Sequence, residues 1–163
     1  MVVMNRKNLR SLAAGVALLL AVGALAGCGG EKKADDSKKM VTVGIAQLVE
    51  HGALDAANKG FVAGKASKGF KENENVKYDR QNAQADQSNL QNIAQRFVSN
   101  KVDLICAIAT PTAQTMANAT KDIPIVATAV TDYEVAKLAA SNNEPKGNVT
   151  GTSDMNPIDQ QLE

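Results

Sequence analysis

Apolar residues along this chain gather into short runs separated by stretches of helical period. The clearest two runs, at 104–109 and 123–129, bracket a segment of helical character from 112 to about 120. Runs without polar alternation are what a parallel sheet covered on both faces requires, so this stretch predicts a β-α-β unit. Upstream, 40–46 predicts a first strand, and Leu54, Ala57 and Phe61 predict a helix from 53 to about 71, with Phe70 near its end. Glycines at 60, 64 and 69 either weaken that helix or let it lie close against the sheet. The alternating stretch 76–79 predicts a second strand nearer an edge. Leu90, Ile93, Ala94, Phe97 and Val98 then form the clearest apolar stripe in the chain, closed by Asn100 and Lys101. Past Asp132 the pattern predicts a short helix over 134–140, a turn region over 141–146, a fifth strand at 148–151 and a new helix starting at Asn156 before Pro157. Together these elements predict an α/β fold: a doubly wound, mostly parallel five-stranded sheet of flavodoxin-like order with helices on both faces.

The first residues belong to targeting rather than to this fold. Arg6, Lys7 and Arg10 precede an apolar stretch at 12–24 that is too short for a comfortable membrane span, and Leu25-Ala26-Gly27-Cys28 follows. This order predicts a lipoprotein signal peptide over 1–27, with Cys28 as the lipidated residue; an ordinary signal or anchor with a chance cysteine is the alternative. Residues 28–39 read as a flexible polar tether. A basic patch gripping anionic lipid is the sharper reading of its lysines, but Glu31, Asp35 and Asp36 interrupt it.

Loss of the three leader cations takes the 18 Lys and Arg below the 17 Asp and Glu, so no clustered basic surface advertises nucleic acid. Only Cys106 remains beside Cys28, in the middle of an apolar run where a thiol acts as a small buried group. The mature chain therefore has no disulfide framework and no pair of cysteines at metal spacing. With His51 the only histidine, a multi-histidine metal site is excluded.

Each predicted strand ends in a distinctive polar phrase. Glu50-His51-Gly52-Ala53-Leu54-Asp55 follows the first, Gln81-Asn82-Ala83-Gln84 the second, Ala109-Thr110-Pro111 the third and Ala129-Val130-Thr131-Asp132 the fourth, with Asn148-Val149-Thr150-Gly151 beyond. In this order the phrases resemble the ABC transporter substrate-binding lipoproteins of the group with tryptophan- and tyrosine-type binding proteins. The resemblance implies a two-lobed protein like the type I periplasmic binding proteins, clamping a small solute, an amino acid, between its lobes and delivering it to ABC permease subunits. It implies an extracytoplasmic protein held to a bacterial membrane through lipid on Cys28, with no cofactor and no enzymatic activity. On this reading residues 40–153 are the amino-terminal lobe, 154–163 begin the crossover, and the second lobe is not in the sequence. Tyr133 stands where family members carry proline.

A free amino acid needs partners for a carboxylate and an ammonium. Thr110, Pro111 and Thr112 suit the carboxylate, because a helix starting there offers unpaired amides and a positive dipole end; Thr110 would cap that helix, and the amides of Thr112 and Ala113 would hold the anion. Asp132 suits the ammonium, with Glu50 second and Thr131 beside it. His51 could donate to the ligand, and Asn82 offers donor and acceptor together. Tyr133 is the one aromatic placed to stack on a ligand ring, a weak pointer to an aromatic solute. Each has a plainer alternative: a cap, a turn or an exposed loop residue. Rival functions are a remnant that binds nothing, a dimerising lobe, or a hydrolase using His51 as base. For the last, Gly-x-Ser-x-Gly is missing from the sequence, as is a glycine-rich phosphate loop.

Overall fold

The computed structural model describes residues 40–145 and 147–156. The leader at 1–27, Cys28 with the tether to residue 39, and the helix expected beyond Asn156 lie outside the described residues.

At the centre of the fold β1 (Val41–Gln47) pairs in parallel with β2 (Val76–Asn82) on one side and β3 (Leu104–Ile108) on the other. Its alternate residues serve two cores. Val43 and Ile45 join Val76, Tyr78, Cys106 and Ile108 on one face, while Ala46 joins Phe97, Ile105 and Ala107 on the other. Gly44 is what admits Phe97, since a Cβ there would sit 2.8 Å from the ring. β3 is followed outward by β4 (Ile125–Val130) and β7 (Val149–Ser153), all parallel, which completes the order β2-β1-β3-β4-β7. With β7 counted as the fifth strand of the sheet, this is the expected flavodoxin-like order. β2 lies at an edge, as its alternation predicts, and runs three residues longer than expected because its ladder with β1 continues to the Gln47 and Asn82 pair.

The helices fall on both faces. α1 (Gly52–Ser67) covers the face of Val43 and Cys106 with Leu54, Ala57, Phe61 and Val62. It ends before residue 71 because Gly69, at φ +88°, turns the chain so that the amides of Lys68 and Phe70 reach back to the Lys65 carbonyl. Gly60 and Gly64 do not bring this helix closer to the sheet: nothing lies within 4 Å of a Cβ at either position. α2 (Gln87–Ser99) and α3 (Thr110–Ala119) cover the other face, with Leu90, Ile93, Ala94 and Phe97 of the predicted stripe buried against Ala113 and Met116. Asp86 caps α2 by accepting from the Asn89 amide at 2.8 Å.

The helix expected over 134–140 does not form. Lys137 adopts φ 59°, the amides of Leu138 and Ala139 turn back to the Tyr133 carbonyl, and a hairpin of β5 (Ala139–Ser141) and β6 (Glu144–Pro145) follows. Burial of Tyr133, Ala136 and Leu138 against the sheet dictates this turn, overriding local helical propensity.

Candidate functional site

In a parallel sheet every strand points the same way, so its carboxyl ends share one edge. The register places Gln47 opposite both Asn82 and Ile108, and Ile108 opposite Thr128. Asn82 therefore ends its strand, and Glu50, Thr110 and Asp132 follow theirs, along this one edge.

At the end of β1 the structure builds a polar cluster that the sequence pattern does not single out. Gln47 is 4% exposed; its Nε2 donates to the Val49 carbonyl at 2.9 Å and to Asp55 Oδ1 at 2.6 Å, while Asn58 Nδ2 donates to its Oε1 at 3.2 Å. Asp55 and Asn58 stand one turn apart on α1, a spacing legible in sequence only once Gln47 is known to face them. Glu50 and Asn82 line a cavity of about 430 Å³ between α1 and β2, together with Gln47, Asp55, Lys59 and Arg80. Arg80 is held away from free exchange by two bonds to Glu72, at 2.6 and 2.8 Å, which lower the Glu72 carboxyl below its ordinary range.

Several expected ligand groups have protein partners. His51 is the N-cap of α1, and its Nδ1 accepts from the Ala53 amide at 3.3 Å. Asn82 Oδ1 accepts from the Gln84 amide at 2.8 Å, steadying a turn in which Gln84 and Ala85 both take positive φ.

The third strand end differs from expectation in two respects. Thr110 is the first residue of α3 and not its cap; Ala109 precedes it at φ 87° and ψ 151°, with no side-chain cap bond. That conformation is costly for any residue but glycine and persists only where the surroundings enforce it. The Ala113 amide is taken by the Ala109 carbonyl at 3.0 Å and Thr112 is wholly buried, so of the first-turn amides that of Thr110 remains for an anion, Pro111 having none. Thr112 is fully buried, with its hydroxyl unpartnered, and its side chain stays out of a surface ligand's reach.

The fourth strand end is bent. The β4 and β7 ladder breaks between Ala127 and Val130, and Ala129 sits at φ 54°. Thr131 is exposed, and its carbonyl accepts from Ser153 Oγ at 2.6 Å. Asp132 Oδ1 accepts from the Val135 amide at 2.9 Å, which leaves the half-buried carboxylate with a second oxygen. Tyr133 corrects the expectation of a ligand-stacking ring. It is 5% exposed, and its hydroxyl lies 2.9 Å from the Ala127 carbonyl and 3.2 Å from that of Thr152. Burial pushes this phenol up to about 12. Among the described residues no group of three or more His, Cys, Asp or Glu comes close enough to hold a metal ion.

A family model described as ABC transporter substrate binding protein matches residues 42–163. The chain is 50% identical to a tyrosine-binding protein of Clostridioides difficile (strain R20291), over 98% of this chain and 48% of the relative. Its fold superposes with a TM-score of 0.73 on the ligand-free, open structure of a substrate binding protein with adhesive properties from Clostridium difficile, at 51% identity over 76% of this chain and 42% of that one. A TM-score of 0.71 relates it to an ABC domain from Streptococcus pneumonia in complex with L-Trp, at 42% identity over 75% and 41% of the two chains. The chain thus spans about half the length of these relatives.

Proposed function

We propose that this chain, which belongs to the ABC transporter substrate binding protein family, supplies one wall of a cleft that captures a small solute without making or breaking a bond. The observation that carries the reading is the alignment of polar strand ends along one sheet edge, from Asn82 through Glu50 and Thr110 to Asp132. The solute is an amino acid, and an aromatic one is favoured by relatives that are named for tyrosine or hold L-Trp. Asp132, through its second oxygen, pairs with the ammonium, and Glu50 is the next acid along the edge. The first turn of α3 takes the carboxylate at the amide of Thr110, where the helix dipole also favours negative charge. Asn82 contributes its amide from the β2 side.

The protein works outside the cytoplasm, held by lipid on Cys28, and passes its solute to an ABC permease. No helix among the described residues is long and apolar enough to cross a membrane. One wall leaves much of a ligand in water, whereas small-molecule sites bury most of it, so this chain alone binds weakly. Amide chemical shifts of the labelled chain, titrated with L-tryptophan and L-tyrosine, test this. Shifts gathered at Glu50, Asn82, Thr110 and Asp132 support the edge. Shifts confined to the opposite edge, or none up to the solubility of the ligand, overturn it.

A further inference from the structure

The sheet edge opposite the candidate site carries an unusual surface. Phe70 is 38% exposed and Met40 is 44% exposed, and both stand just ahead of the amino ends of strands, before β2 and β1. One side chain ties the two places together: Asn75 Nδ2 donates to the Gly69 carbonyl at 2.8 Å and its Oδ1 accepts from the Lys71 amide at 2.8 Å, while its carbonyl accepts from the Val41 amide at 3.0 Å. The exposed aromatic therefore sits on a fixed turn beside the point where the chain enters β1.

One cation stands over it. Lys65 Nζ lies 5.0 Å from the centroid of the Phe70 ring and 5.8 Å from that of Phe61. Lys71 is offset by Glu74 at 3.6 Å and Glu72 by Arg80, whereas Lys65 and Lys68 have no carboxylate partner among the described residues. An exposed ring under an ammonium group, with a second unpaired lysine on the same turn, matches the boundary between the headgroups and acyl chains of an anionic bilayer, where rings are accommodated and lysines are attracted to the anionic surface.

We propose that the turn bearing Phe70, with Met40, Lys65 and Lys68, is a foot that rests on anionic membrane and holds the candidate solute edge outward. The proposal deepens the lipid-anchored reading, which it uses only for the direction from which the chain arrives. Two weak contacts become effective together, because an anchored chain meets the bilayer at high local concentration.

The sequence contains no tryptophan, so Phe70→Trp places a single indole reporter at the foot, and Val135→Trp places one at a 78% exposed position beyond the carboxyl end of β4. The full chain is mixed with vesicles of phosphatidylglycerol or of phosphatidylcholine; flotation reads the anchor and indole emission reads the foot. We expect the Phe70→Trp emission to shift to the blue and to be quenched by brominated phosphatidylglycerol, with Val135→Trp unchanged. The shift should be lost in Lys65→Glu/Lys68→Glu and in about 1 M salt, where the screening length is about 3 Å. Flotation with an unshifted Phe70→Trp emission overturns the foot while leaving the anchor standing. A chain that does not float overturns both. Equal shifts at both reporters, or equal shifts on phosphatidylcholine, overturn the foot as well. A shift in buffer that grows with protein concentration assigns the patch to a second copy and overturns it.

Discussion

Removing one oxygen atom from Tyr133 separates two roles for this residue. A ring that stacks on a ligand would survive Tyr133→Phe, since the aromatic face is unchanged. The structure instead makes the hydroxyl a pin. It sits where the β4 and β7 ladder breaks, within reach of the Ala127 and Thr152 carbonyls. One hydroxyl proton serves one carbonyl at a time, the nearer being Ala127. Without it a buried carbonyl loses its donor, a loss of about 1–3 kcal/mol. Gly151 is the other half of the device, because a Cβ there would lie 2.2 Å from the hydroxyl and 2.0 Å from the Ala127 oxygen. Gly151→Ala must push strand against strand, a cost of about 1–3 kcal/mol or more. Urea unfolding followed by far-UV circular dichroism measures both variants. The midpoint should fall at unchanged slope for Tyr133→Phe, and fall further for Gly151→Ala. The two effects should not add, since Gly151→Ala in the Tyr133→Phe background is spared the hydroxyl contact. A Tyr133→Phe variant within about 0.3 kcal/mol of the parent chain would refute the pin.

The remaining expectations concern the two cores. Phe97→Ala empties the space that Gly44 opens and should cost about 3–5 kcal/mol by urea unfolding; a loss below about 1 kcal/mol would show that the helix is not held through this ring. Burial raises the Cys106 thiol from 9.0 to about 12, so above pH 9 the unfolded chain gives up a proton that the folded chain keeps. Stability should therefore decline between pH 9 and 12, less steeply in Cys106→Val, with the Tyr133 phenol, raised from 10.0 to about 12, adding to the slope in the parent chain. A flat profile over that range would contradict the burial of both groups.

Period and composition made the sheet legible, because β3 and most of β1 are buried on both faces, β4 is at least half-buried throughout, and all three are mostly apolar in sequence. The α2 stripe was equally plain, since four of its five residues are buried. Local pattern misled at 134–140, where Tyr133, Ala136 and Leu138 turn inward on a left-handed Lys137 and tertiary burial overrides helical propensity. At the candidate site the strand ends were legible and the side-chain roles were not. Thr112 and Tyr133 look available in sequence, yet lie inside the core. The Gln47, Asp55 and Asn58 cluster depends on how α1 crosses the end of β1, which no single-chain pattern specifies.

The central claim is that this chain's strand tips grip a solute. It meets its most direct test in a chimera in which residues 40–153 replace the matching part of the tyrosine-binding relative, joining them to the remainder of that protein. Calorimetric titration with L-tyrosine should show binding, and Asp132→Asn should weaken it by about 10–100-fold, the range of a lost charge-assisted bond, while Asn preserves the turn cap. A folded chimera that binds no amino acid, or one whose affinity is indifferent to Asp132→Asn and Glu50→Gln together, would contradict it.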